Sequence, residues 1–476
     1  MKKVLFFVLT FTLIFISSCK KEQITDTPKQ TAFLDLDELR HRGRIIAVTD
    51  FNSTNYFIYK GQPMGFHYEL LKSFSNYIGL NIEIIPQNDL RKSIEMLNSG
   101  EADLLAVDLT ITSLREKQLR YTEPVYQTRQ VLVQRKPNRW TAMTSDEINR
   151  SLIRSQLDLA GKSIYVQAGS SSVETLRSLR YQIGDSLAII EVPYESEELI
   201  KLVARREIDY VVCDENVAKV NAGYYPIIDV LTPVSFTQNL SWGLRSSNSG
   251  RLAAAFNEWI ASYKQTRDYA LLYAKYYRNV WSAYIYKSDY YTLNTGKISP
   301  WDVLIKSFSD TINWDWRLLA SMMYQESRFI PDVRSWAGAY GLMQIMPSTG
   351  RHLGIDITSS PENNVKAGVF YLRFLQDYFK DKIPDENERV KFILAAYNAG
   401  TGNIDDAMEL AKKHGRDPLV WDENVEYFLL KKMDPAYYND PVVKHGYCKG
   451  DEPVNYVAQI LERYSNYRNI IPLTKD

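Results

Sequence analysis

Cysteine is scarce, with three residues in 476, and histidine nearly as scarce, with five. Neither type gathers at metal-ligand spacing, so no structural zinc or other metal is expected. Net charge is also lacking, since 57 Lys+Arg balance 57 Asp+Glu. With no long basic run, a nucleic-acid partner held by phosphate electrostatics is excluded. Beyond the N-terminus no apolar stretch is long enough for a membrane-spanning helix. Cys213 and Cys448 lie far apart in the chain, in what read as different domains, and are not expected to pair. Tyrosine is plentiful, with 33 residues in a chain that is 13% aromatic. A flat apolar ring with a polar tip suits sugar or peptide binding, and equally an ordinary core. The length itself suggests two or three domains, at roughly 150 residues each.

Lys2 and Lys3 precede an apolar run from Val4 to Ile16. The run is too short for a mature membrane helix and fits the apolar segment of a signal peptide. Ile16-Ser17-Ser18-Cys19 resembles the bacterial lipobox, which implies that Cys19 is lipidated and becomes the first mature residue. The expected layout is a signal peptide at 1–18 and a polar tether at 19–39. The expected location is the periplasm, with a lipid anchor in the outer membrane.

Residues 40–276 alternate strand-like and helix-like segments. Ile45–Val48, Asn81–Pro86, Leu104–Val107, Ser163–Gln167, Ala188–Val192 and Tyr210–Cys213 read as strands. Phe66–Ile78, Leu90–Leu97, Ser172–Leu179 and Glu197–Arg205 read as helices, the first from its stripe of Phe66, Leu70, Leu71, Phe74 and Ile78. This rhythm predicts βαβ units, largely parallel sheets and two α/β lobes, with ligand at the carboxyl ends of the strands. The order of Gly61-Gln62-Pro63-Met64-Gly65-Phe66, Thr110-Ile111-Thr112 with Arg115, Gly169-Ser170-Ser171-Ser172 and Asp209–Asp214 resembles the family 3 extracellular solute-binding proteins. The resemblance implies a periplasmic-binding-protein-like module that holds an amino-acid or muropeptide ligand between its lobes. It implies that Arg115 grips a ligand carboxylate and that Thr110 adds a donor. Ser170 and Ser171 would donate from a helix N-terminus, Asp214 would hold an α-amino group, and Tyr56 would stack on the ligand. A fork-shaped guanidinium matches a carboxylate, which makes the first role chemically apt. Residues 248–264 read as an amphipathic helix that returns to the first lobe, and 277–297 as a connector.

Residues 298–470 read as mainly helical. In the helix from Asp315 to Ser327, Glu326 stands seven, four and three residues after Leu319, Met322 and Met323, on their apolar stripe. Burial there disfavours the carboxylate and keeps the group protonated near neutral pH, as a general acid requires. Downstream come Gly338-Ala339-Tyr340-Gly341-Leu342-Met343-Gln344-Ile345-Met346-Pro347 and Ala395-Ala396-Tyr397-Asn398-Ala399-Gly400. Together with Glu326-Ser327-Arg328-Phe329, these resemble the three motifs of the family 1 lytic transglycosylases, which have a lysozyme-like fold. The resemblance implies that Glu326 is the catalytic acid and base. It implies that Ser335, Gln344 and Met346 line the saccharide cleft, and that Tyr397 and Asn398 position the sugar. Glu452 matches an acidic residue of a late motif, although Pro453 replaces that motif's Thr. The insertion between Ala407 and Asp451 reads as partly helical, at Asn424–Met433, and as cover for one end of the cleft.

The expected architecture is multidomain: a two-lobed α/β module followed by a mainly α module. The implied activity cleaves the MurNAc–GlcNAc β-1,4 bond of peptidoglycan glycan strands without water and leaves 1,6-anhydroMurNAc ends. No cofactor is needed. The alternatives are a lysozyme-type hydrolase and a solute-binding lipoprotein with an inert rear domain.

Overall fold

The structure is a computed structural model. It describes residues 34–472 apart from 113–114, 185 and 279–280. The signal peptide, Cys19 and most of the tether lie outside the described residues. Among those described, no helix is long and apolar enough to cross a membrane.

The front module has two large sheets, one per lobe, and a small two-stranded one. In the first, the strands run in the order Asn81–Pro86, Arg44–Thr49, Leu104–Thr110, Gln238–Arg245, Leu119–Tyr121. Its first three strands are parallel, and Gln238–Arg245 runs antiparallel to both of its neighbours. The second sheet runs Ala188–Val192, Ser163–Gln167, Tyr210–Asp214, Gln130–Arg135, Ile228–Pro233, again half parallel and half antiparallel. The sheets are therefore mixed rather than largely parallel. The antiparallel strands Gln130–Arg135 and Gln238–Arg245 follow the two points where the chain crosses between lobes. The crossings are tied together, since Val234 N donates to Gln130 O at 2.8 Å and Gln130 N to Ser235 Oγ at 2.9 Å.

The helix Gly250–Tyr263 buries Leu252, Phe256, Trp259 and Ile260 in the first lobe, as its apolar period predicts. The stretch that reads as a connector is itself folded. Tyr277, Ile285 and Tyr291 sit in the same core as the first lobe.

The rear module is helical. Trp316–Ser327 is capped by Asp315, whose carboxylate accepts from Arg317 N at 2.9 Å, and it ends at Arg328 in the left-handed region. Around it stand Asp302–Asp310, Pro361–Lys380, Glu386–Ala399, Thr401–Lys413 and the C-terminal helix Asp451–Ile470. Within the insertion, Lys432 is fully buried. Its Nζ meets Asp406 Oδ2 at 2.7 Å and Asn403 Oδ1 at 2.8 Å.

The modules interlock. Phe57–Tyr59 and Gln62–Met64 form a hairpin whose turn residues, Lys60 and Gly61, both have positive φ, the signature of a tight two-residue turn. Ile58 of this hairpin lies in the rear module's core. A Cβ on Gly61 would press within 3 Å of Phe329, Tyr467 and Tyr324, so only glycine fits there. Tyr467 Oη donates to Gly61 O at 2.5 Å, Asn469 to Ile84 O at 2.5 Å, and Lys72 pairs with Glu462 at 2.9 Å. The C-terminal helix thus belongs to both modules.

Candidate active site and ligand cleft

Glu326 occupies the last turn of its helix, where Leu319, Met322 and Met323 are wholly buried. Protein surrounds most of the carboxyl, yet the residue keeps partial contact with solvent. Burial pushes its pKa up to about 7, against the opposing pull of a hydrogen bond from Tyr456. Among the described residues, no other carboxylate contributes to that shift. Tyr456 Oη donates to Glu326 Oε1 from the C-terminal helix. Burial keeps the Tyr456 and Tyr397 phenols protonated, and the charge on Glu326 adds to this.

The loop after the helix that carries Glu326 is fixed by its own polar groups. Ser335 Oγ accepts from Ala339 N at 3.0 Å. Gln344 has positive φ, and its amide donates to Val333 O at 3.1 Å and Gly341 O at 2.9 Å. Tyr397 Oη donates to Met343 O at 2.8 Å. Asn364 clasps the same loop: it accepts from Met343 N at 2.8 Å and donates to Tyr340 O at 2.8 Å. Gly341 has φ +82, and any Cβ there would strike the Asn364 side chain. Ser335, Gln344 and Tyr397 therefore hold this loop through its backbone. Met346, 40% exposed, and Asn398 present their side chains to solvent. Glu452 stands one turn before Tyr456, exposed, and paired with Lys449 at 2.7 Å.

The motif reading gave Tyr456 no role, and Asn364 was missed entirely. Helical spacing puts Glu452 and Tyr456 on one face. Which of them reaches Glu326 depends on how two helices are rotated against each other, and local sequence does not encode that.

In the front module a cavity of about 110 Å³ lies between the lobes, lined by Arg115, Ser170, Ser171 and Asp214 among others. Arg115 bridges the lobes, donating to Gly169 O at 2.6 Å and Thr110 O at 3.3 Å. Thr110 Oγ1 and Ser171 Oγ meet at 3.1 Å. Ser170 Oγ donates to Gln167 O at 2.8 Å. A larger open groove of about 1010 Å³ lies nearby, sharing Thr110 and Ser171, but only one acidic residue, Glu174, lines it. Tyr56 corrects the expectation placed on it. The residue is 0% exposed, stacks on Tyr68 and donates to Asn466 Oδ1 at 2.5 Å. It is a core aromatic at the junction of the modules, away from the cleft.

Cys213 and Cys448 are both buried free thiols. Among the described residues, no group of three or more His, Cys, Asp or Glu side chains is arranged to hold a metal ion.

The family model for bacterial extracellular solute-binding proteins, family 3, matches residues 44–279, and that for the transglycosylase SLT domain matches 304–420. A membrane-bound lytic murein transglycosylase F of Desulfosudis oleivorans is 32% identical over 90% of this chain and 90% of its own. One from Shewanella sediminis is 30% identical over 98% of this chain and 91% of its own. Among solved structures, an ancestral amino acid-binding protein, a precursor of cyclohexadienyl dehydratase, aligns with 51% of this chain and 98% of its own. That alignment has 25% identity and a TM-score of 0.42. With both modules matched in order and full-length relatives at this identity, the chain belongs to the membrane-bound lytic murein transglycosylase F family.

Proposed function

We propose that the protein is an exported, lipid-anchored lytic transglycosylase in which Glu326 is the acid and base. Glu326 protonates the oxygen between MurNAc and GlcNAc as the glycosidic bond breaks. The carboxylate then takes the proton of the muramic acid's own 6-hydroxyl, whose oxygen closes onto the anomeric carbon. The product carries a 1,6-anhydro ring and no water is consumed. The observation that supports this most is the Glu326 carboxyl, its pKa raised to about 7 with no carboxylate among the described residues acting on it. Two-carboxylate glycosidases place their second group about 5–9.5 Å away. An internal hydroxyl removes the need for one and gains from proximity. Mass spectrometry of digested sacculi tests the reading: anhydro products are lighter by one water than hydrolytic ones. Products with the water included would make the enzyme a lysozyme-type hydrolase.

Tyr456 donates to Oε1, so in this reading the transferable proton sits on Oε2, facing the sugar. Tyr456→Phe removes a bond that favours the carboxylate, and the pKa of Glu326 should rise. The basic limb of the pH–rate profile then moves to higher pH. Turnover falls on the order of 10–100-fold, the worth of a hydrogen bond to a charged group. A variant with an unmoved limb would show that Tyr456 does not tune Glu326.

The front module is read as a receptor for an amino-acid or wall-peptide ligand, and Cys19 as the lipid attachment point. Cys19→Ala is expected to shift the protein to the soluble exported fraction. Recovery in a salt-washed membrane pellet would place the anchor elsewhere.

A further inference from the structure

Five carboxylates line the cavity between the lobes: Asp50, Asp108, Glu195, Glu197 and Asp214. They come from separate strands and from the start of one helix, so only the fold brings them together. The cation among the lining residues is Arg115, and its guanidinium is engaged by two backbone carbonyls. Asp108 meets His67, whose Nδ1 accepts from the indole N–H of Trp242 at 2.9 Å and whose Nε2 lies 2.8 Å from Asp108 Oδ1. Burial pushes the Asp108 pKa up, and the partners His67 and Tyr126 outweigh it, leaving the pKa lowered.

The acceptors are only partly satisfied. Glu197 accepts from Ser53 N and Oγ at 3.2 and 2.5 Å, and Asp108 also accepts from Tyr126 at 2.6 Å. Asp50 has a long contact of 3.4 Å from Asn55. Asp214 Oδ1 is fully enclosed and has no hydrogen-bond partner, although its residue begins a helix. Burial, followed by mutual repulsion, raises Asp50 well above the usual carboxylate range, Glu195 to about 8 and Asp214 to about 7. The group falls into two poles by position. Glu197, with Glu195 beside it at the same helix start, reaches across to Ser53, three residues after Asp50, while Asp214 ends a different strand. Gathering five carboxylates around one cation is costly, and an orphaned acceptor costs more again. The carboxylates are not arranged as a metal site. A ligand carrying its own donors and positive charge would satisfy these acceptors, and the cavity is far larger than one water requires.

We propose that this cavity binds a small linear dication, two ammonium or guanidinium groups on a short aliphatic chain, with one at Asp214 and the other among Asp50, Glu195 and Glu197. Basic amino acids and diamines fit that description. The proposal rests on the reading of the front module as a receptor and narrows its ligand. Arg115 spends two of its five N–H donors on Gly169 and Thr110, so the remainder can meet a ligand carboxylate where one is present.

The test is calorimetric titration of the full chain with L-lysine, L-arginine and putrescine, against L-glutamine, L-leucine and L-glutamate. The basic probes are expected to bind at least about tenfold more tightly than the neutral ones. Asp214→Asn and Asp50→Asn should each weaken them on the order of 10–100-fold, as loss of one partner of a buried charge pair does. Both variants relieve repulsion, so thermal midpoints at or above wild type confirm that they fold. Binding of glutamine or leucine in preference to lysine overturns the dication and leaves the receptor reading standing. Failure of every probe at millimolar concentration overturns both. Unchanged lysine affinity in the two variants overturns the assignment of the poles.

Discussion

Glu326→Gln should reduce the release of anhydromuropeptides by roughly 10²–10⁴-fold or more, with the fold intact. The amide keeps the shape and still accepts from Tyr456, but it has no proton to give. With the wild-type pKa near 7, the acid form predominates below that pH. Above it, the protonated fraction falls tenfold per unit, so activity should decline on the alkaline side. The stability change has the opposite sign. A carboxyl whose pKa is raised by folding destabilises the native state progressively from about pH 4.3, its unfolded value, to about 7. Glutamine escapes that loss, so the variant should melt no lower than wild type at pH 8. Wild-type rates from Glu326→Gln would remove the residue from the chemistry altogether.

The second large effect concerns stability. Lys432→Ala is expected to destabilise the rear module by about 3–5 kcal/mol, the cost of leaving a buried charge unpaired. Lys432 is 0% exposed and Asp406 2% exposed. Asp406 also accepts from Lys444 N and His445 N, both at 2.9 Å, which staples the insertion onto the helix Thr401–Lys413. Burial pushes the Asp406 pKa up, and the bonds from Lys432 and the two amides outweigh it, leaving the pKa lowered. The sign follows: the stabilisation is complete above the ordinary carboxylate range near pH 4 and is lost as pH falls through the folded value. Scanning calorimetry is the measurement. The double variant Asp406→Asn, Lys432→Met should lose less than the sum of the single changes, because it leaves no orphaned charge. Additive losses would mean the two groups do not interact.

The alternation of strands and helices in the front module was legible because each segment carries its own period. Phe66–Ile78 and Asn81–Pro86 were read with the bounds they have. The mixed character of the sheets was not, since direction is set by where the chain crosses between lobes. Glu326 stood out because a carboxyl on an apolar stripe is conspicuous in one helix. Tyr56 misled because a tyrosine after a strand looks the same whether it faces a ligand or, as here, an asparagine 410 residues away. Asp50, Asp108, Glu195 and Glu197 were invisible for a related reason. They come from one strand interior, one strand end and one helix start far apart in the chain, and their meeting is a property of the topology.

The hairpin seated beside Tyr324 and Phe329, with Ile58 in the far core, makes the two modules poor units of exchange. A rear module cut free would carry an open apolar socket immediately behind the turn that bears Glu326. A front module grafted from elsewhere would have to bring a plug of matching shape, with glycine at its tip. Shuffling at this boundary should therefore yield aggregation-prone hybrids, and plug and socket should travel together as one heritable piece.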